Sequence, residues 1–138
     1  MRISRRLYFQ MLLLIVIGLL LVIAFLYTPA ISKQEESQFV DIKEAVHVYS
    51  GLHSEHFMAF INNIDLFEKN IDSVHLAATY LYRSIGFLEE LAMYGDVDVQ
   101  EHIHKIIPTL GMTGERILMK KALQHNMVFR PTYLKNSY

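Results

Sequence analysis

"FINNIDLFEKNIDSVHLAATYLYRSIGFLEELA", Phe60 to Ala92, carries the most regular pattern in this chain. Phe60, Ile64, Phe67, Ile71, Val74, Ala78, Leu81, Ile85, Leu88 and Ala92 step alternately by four and three residues. That period belongs to an α-helix that buries one stripe of its surface. Two structures satisfy it: one long coiled-coil helix over 54–94, or two antiparallel helices. Ile61, Ala77, Tyr82 and Leu91 flank the seam, where an exposed coil would carry charged pairs. Such a wide apolar face fits a helix packed inside a bundle. "KNIDS", Lys69 to Ser73, contains neither Gly nor Pro, but Asp72 or Ser73 can serve as an N-cap there. The pattern therefore favours two helices with a turn at Lys69–Ser73.

The flanking segments are helical too. Phe39, Ile42, Val46 and Tyr49 give one apolar face to a helix near 34–50, and Ser50-Gly51 breaks it. After the seam, Tyr94-Gly95 predicts a left-handed C-cap at Gly95. Asp98-Val99-Gln100-Glu101 has the form of a capping box opening a short helix, which Pro108 should stop. Thr113 begins a last helix through about Asn126, with Leu118, Ala122 and Leu123 facing inward. From Val128 onward "VFRPTYLKNSY" has no period and a central Pro, so an extended segment is expected, lying along its own surface or a partner's. No strand-like alternation, internal repeat or low-complexity tract appears.

Upstream, "LYFQMLLLIVIGLLLVIAFLYTPA", Leu7 to Ala30, sets where the domain works. Leu7 to Tyr27 holds no charged residue. As a helix it covers about 31 Å, against a hydrocarbon core of about 30 Å. Tyr8 and Tyr27 mark its two ends, where amphipathic rings favour the membrane interface. A cleavable signal is the nearest rival, since Arg2, Arg5 and Arg6 form a basic start and Thr28-Pro29-Ala30 resembles a cleavage site. Signal cores, however, run about 7–15 apolar residues, and the uninterrupted run here is longer. The segment reads as a membrane anchor with Arg2, Arg5, Arg6, Tyr8 and Tyr27 as interface residues. Three arginines precede the span and Lys33 alone follows it closely, which places the N-terminus in the cytoplasm.

These readings divide the chain into a basic N-terminus (1–6), a transmembrane helix (7–28), a helical domain (29–127) and an apolar tail (128–138). The fold class is all-α: one transmembrane helix, a compact bundle of four to five helices, and an extended C-terminal tail. Charge is unevenly spread. Residues 33–104 hold four basic and thirteen acidic side chains, whereas 105–138 hold six basic and one acidic. A dipolar domain of this kind can pair head to tail with a copy of itself, although attraction between its two ends within one fold is the simpler account.

Little in the chain suggests catalysis. Cysteine is absent, which removes disulfides, thiolate ligands and thiol nucleophiles. There is no Gly-rich phosphate loop and no Gly-x-Ser-x-Gly elbow. Arg116, Lys120 and Lys121 make a basic patch too small for nucleic acid, and no nucleic-acid partner is expected. Seven histidines raise the question of metal. Glu44 with His47 and Glu101 with His104 are Glu-x-x-His pairs of the type used by di-iron bundles. The alternation of lone-Glu and Glu-x-x-His helices in those bundles is not reproduced, so these four residues define an alternative reading. "HSEH", His53 to His56, places two imidazoles one turn apart and reads as a solvated face.

The anchor "RRLYFQMLLLIVIGLL" before a cysteine-free helical domain, and the ending "FRPTYLKNSY", resemble in layout the small single-pass minor capsid proteins of large double-stranded DNA viruses of algae. The resemblance implies a structural protein that ties an internal viral membrane to the capsid lattice, and it transfers no binding residue. The expectation is a non-enzymatic, membrane-anchored interaction protein without cofactor. Its partners would be the lipid bilayer and proteins of a larger assembly, with homo-oligomers among the options. Phe129, Arg130, Tyr133, Leu134 and Tyr138 of the tail are the expected partner contacts. The alternatives are an accessory single-pass subunit of a respiratory or other membrane complex, and a metal-binding bundle built on the Glu-x-x-His pairs.

Overall fold

The computed structural model describes residues 4–27 and 31–134, without the side chains of 26 and 27. The described residues form five helices and no strand: α1 (Arg5–Tyr27), α2 (Lys33–His47), α3 (Ser54–Lys69), α4 (Val74–Ala92) and α5 (Val97–Gln124). The expected all-α class is what is found.

Helix α1 stands apart from the core. Ser4 Oγ accepts the amide of Leu7 and opens the helix. Over Arg5–Phe25 none of its most apolar window is buried within the protein. It is long and apolar enough to cross a membrane.

Helices α2 to α5 close a bundle in which each helix runs antiparallel to the next. Lys43 of α2 reaches Asp65 and Glu68 of α3, both at 3.3 Å. His56 near the start of α3 meets Glu90 near the end of α4 at 3.4 Å. Tyr82 in mid-α4 bonds Glu115 in α5. The ring closes where Lys120, late in α5, meets Glu35 in the first turn of α2 at 3.3 Å. The base of the bundle, where α1 joins, therefore gathers the start of α2, the α3–α4 turn and the end of α5. Lys121 and Asp72, 2.7 Å apart, join the last two. The far tip holds the α2–α3 and α4–α5 turns.

All ten positions of the Phe60–Ala92 seam are buried, although the helix is interrupted. The turn falls at residues 70–73, as the wide face suggested. The seam keeps phase because both helices of this hairpin face the same core. Asn70 closes α3 by donating its side-chain amide to Leu66 O at 2.7 Å. Ser73 occupies the N-cap of α4 without a side-chain bond, while Asp72 turns to Lys121.

Four expectations about the second half need correction. The α4–α5 turn contains no left-handed glycine. Met93, Tyr94 and Gly95 donate to carbonyls three residues back, and α5 starts at once. The N-cap of α5 is Asp96, whose carboxylate accepts Val99 N at 3.0 Å, so Asp98 and Glu101 form no capping box. Packing of Val99 on the core requires the helix to be wound by that point. Pro108 does not stop it either. Helix α5 runs unbroken from Val97 to Gln124, because Ile103, Ile107 and Leu110 around the proline and Ile117 and Leu118 beyond it all pack on one core. Pro108 is exposed, so the His104 carbonyl that lacks a helical donor faces water. Lastly, Leu123 is 69 % exposed, while Leu118 and Ala122 are buried as expected. After Gln124, Asn126 is the one left-handed non-glycine among the described residues, with Met127 N donating to Ala122 O at 2.8 Å to close the helix end.

Candidate interaction surfaces and the buried Glu115

The tail does not hang free over its described part. Phe129 and Tyr133 pack against the bundle core, and Leu134 is half-buried. A single carboxylate holds the segment in place. Glu115 is fully buried. Its Oε1 accepts the amides of Tyr133 at 2.6 Å and Leu134 at 2.9 Å. Its Oε2 accepts the Thr132 amide and the Tyr82 hydroxyl, both at 2.6 Å. Four donors thus compensate a charge that would otherwise be costly to bury. Burial, followed by the bond to Glu115, raises the Tyr82 hydroxyl well above its ordinary pKa. Burial, with the nearby carboxylates of Glu89 and Glu115, also raises Tyr133.

Nothing in the composition singled out Glu115, yet a signal was present. It is the lone acid of residues 105–138 and lies three and seven residues before the inward-facing Leu118 and Ala122. A carboxylate on the apolar stripe of a helix has to find donors.

Of the five expected tail contacts, Phe129 and Tyr133 thus face the chain's own core. Arg130 is exposed, and Tyr138 lies outside the described residues. Among the interface residues, Arg5, Arg6 and Tyr8 are exposed on the first turn of α1, whereas Arg2 and the Tyr27 side chain lie outside the described residues.

The Glu-x-x-His residues are spread over the surface. Glu44, His47, Glu101 and His104 are all exposed. Among the described residues no group of three or more His, Asp or Glu side chains is placed to hold a metal ion. Instead His47 packs edge-on against Phe57, and Glu101 and His104 line a shallow depression.

At the tip the histidines have structural work. His53 caps α3, its Nδ1 accepting His56 N at 3.2 Å. The His53 and His56 rings lie 4.1 Å apart, and Tyr94 stacks on His53 at 4.5 Å. Beside them Met93 and Val97 are 78 % and 76 % exposed, making the tip unusually apolar for a solvated turn. An open depression of about 440 Å³ lies between α2 and α5, lined by Gln38, Asp41, Ile42, Ala45, His102, Lys105, Ile106 and Thr109. Above it the Tyr49 hydroxyl and His102 Nδ1 are hydrogen-bonded. This depression contains an acid, a base and an imidazole. It is open to solvent and is not an enclosed apolar cavity.

Compared with known protein families, with curated proteins and with solved structures, the chain gives no match.

Proposed function

We propose that this protein is a non-enzymatic, single-pass membrane protein whose four-helix domain serves as an interaction module in a larger assembly. The N-terminus is cytoplasmic and the bundle lies on the opposite side. One observation carries the reading: the bundle completes its core without α1, and none of the most apolar window of Arg5–Phe25 is buried in protein. In water such a surface aggregates, whereas in lipid it is at home. The apolar tip at Met93, Tyr94 and Val97, farthest from the anchor, is the surface on which we place the protein partner. A linker between an internal viral membrane and a capsid lattice, as the layout resembles, is one assembly of this kind.

Alkaline carbonate extraction of membranes from cells making the full chain tests the anchor. The protein should stay with the membrane, and Leu13→Arg with Ile17→Arg should release it. Wild-type protein in the supernatant, or mature protein beginning after residue 27, overturns the proposal. Crosslinking mass spectrometry on the native membrane then identifies the partner, with crosslinks expected from Lys105 near the tip.

A further inference from the structure

We propose that the base of the bundle rests in the lipid headgroup region through an apolar patch of Leu123, Met127 and Val128. Leu123 and Val128 are 69 % and 78 % exposed, and Met127 joins them along a groove floored by Met119, Ala122 and Phe129. This inference rests on reading α1 as a membrane span. Two independent links place the patch at the membrane. Five residues separate α1 from α2, a reach of roughly 20 Å at most. The first turn of α2 is in turn joined to the last turns of α5 by the Glu35–Lys120 pair. Separately, Gln124 Nε2 donates to Phe25 O at 3.4 Å, setting the end of α5 beside the last turns of α1. Leu123 therefore sits where the chain leaves the bilayer.

The charges at this end are mixed: Lys33, Lys69 and Arg130 are exposed, as are Glu36 and Asp72, the last paired with Lys121. Apolar side chains dipping into the headgroup zone with charged side chains around them are the pattern of an interfacial membrane contact. A resting base would restrict tilting of the bundle and keep its tip directed away from the membrane.

The absence of cysteine in the chain makes the test clean. The full chain carrying Val128→Cys, or Leu123→Cys as a second position, is labelled with an environment-sensitive fluorophore. It is then reconstituted into vesicles of phosphatidylcholine and phosphatidylserine. Val97→Cys at the tip and Leu14→Cys within α1 are the references. Labels at 128 and 123 should show blue-shifted emission, quenching by a headgroup-linked nitroxide and protection from aqueous iodide, while the label at 97 shows none of these. Iodide quenching at 128 and 123 equal to that at 97, with 14 still shielded, overturns this inference and leaves the anchor standing. Protection at 128 and 123 from both quenchers means that protein covers the patch, and also overturns it. Iodide access at 14 overturns the anchor reading and this inference with it.

Discussion

The ring of Tyr133 occupies the space that a side chain at Gly111 would need. A Cβ built on Gly111 falls 2.4 Å from both Cγ and Cδ2 of that ring. A helical glycine, which ordinarily weakens its helix, is here the floor on which the tail lies.

Glycine-to-alanine changes should accordingly have opposite signs at two helical sites. Gly86 in mid-α4 has nothing within 4 Å of its added Cβ. Gly86→Ala should stabilise by about 0.5–1 kcal/mol through helix propensity alone. Gly111→Ala gains the same propensity but must displace an aromatic ring. A net loss of about 1–2 kcal/mol is expected from overpacking. Chemical denaturation of the full chain in detergent, followed by circular dichroism, reads both. Gly111→Ala combined with Tyr133→Ala should lose no more than Tyr133→Ala alone, since the clash is then gone.

Glu115 holds the tail by its backbone, so its replacement should be visible amide by amide. Glu115→Gln keeps the shape but offers one acceptor oxygen and points an NH2 group at donors. The amides of Thr132, Tyr133 and Leu134 should exchange with solvent much faster, while amides of the α3–α4 seam stay protected. The stability cost should be about 1–3 kcal/mol, that of leaving buried donors without acceptors. Unchanged exchange at all three amides would show that Glu115 does not fasten the tail.

Alkaline pH should loosen the same site. The fold raises Tyr82, chiefly by burial and then by its bond to Glu115, so the native state favours the neutral phenol. The resulting stabilisation is fully present below the ordinary tyrosine pKa near 10 and is lost as pH climbs from there through the raised folded value. Tyr133 is raised in the same direction and adds to the slope. Thermal melts across the alkaline range should fall more steeply for wild type than for Tyr82→Phe. The variant starts lower at neutral pH because it lacks the bond. In ultraviolet titration of folded protein, Tyr82 and Tyr133 should ionise above the ordinary tyrosine range. Equal alkaline slopes for the two proteins would remove Tyr82 as the source.

What the sequence made legible was periodicity. The Phe60–Ala92 seam foretold ten buried residues, because burial of a helix stripe leaves a repeating mark, whereas its unbroken phase fitted one helix as well as two. Helix α1 was legible for the simpler reason that a long uncharged apolar run without a breaker reads as one helix. Helix α5 was misread because Pro108 looks like a breaker on its own, and Gly111 and Gly114 follow it inside the same helix. Packing on the core outweighs the bond lost at Pro108. The glycines are there for contact: a Cβ at Gly114 would fall 2.6 Å from Leu81 Cδ1, much as Gly111 receives Tyr133. Close approach between elements distant in sequence leaves no periodic mark. Which surface the tail lies along, its own or a partner's, was left open on the same ground, because its anchor, Glu115, lies in a helix well upstream.

Removal of residues 128–138 distinguishes a structural strap from a free arm. Truncation strips Glu115 of its three backbone donors and uncovers the core beneath Phe129 and Tyr133, leaving only the Tyr82 hydroxyl on the carboxylate. The lost hydrogen bonds cost about 1–3 kcal/mol beyond the lost packing of Phe129 and Tyr133, a large part of the roughly 5–15 kcal/mol that holds a domain of this size. The truncated chain should therefore melt far below the full-length protein. Adding Glu115→Leu to the truncation should recover part of the loss, because an apolar side chain needs no donors even with the strap gone. The same substitution in the full-length chain should destabilise, since three tail amides then lose their acceptor. That reversal of sign belongs to a strap and not to a tail that only touches partners. A truncated protein melting with the full chain would place 128–138 outside the fold and restore its aromatic residues as a docking arm.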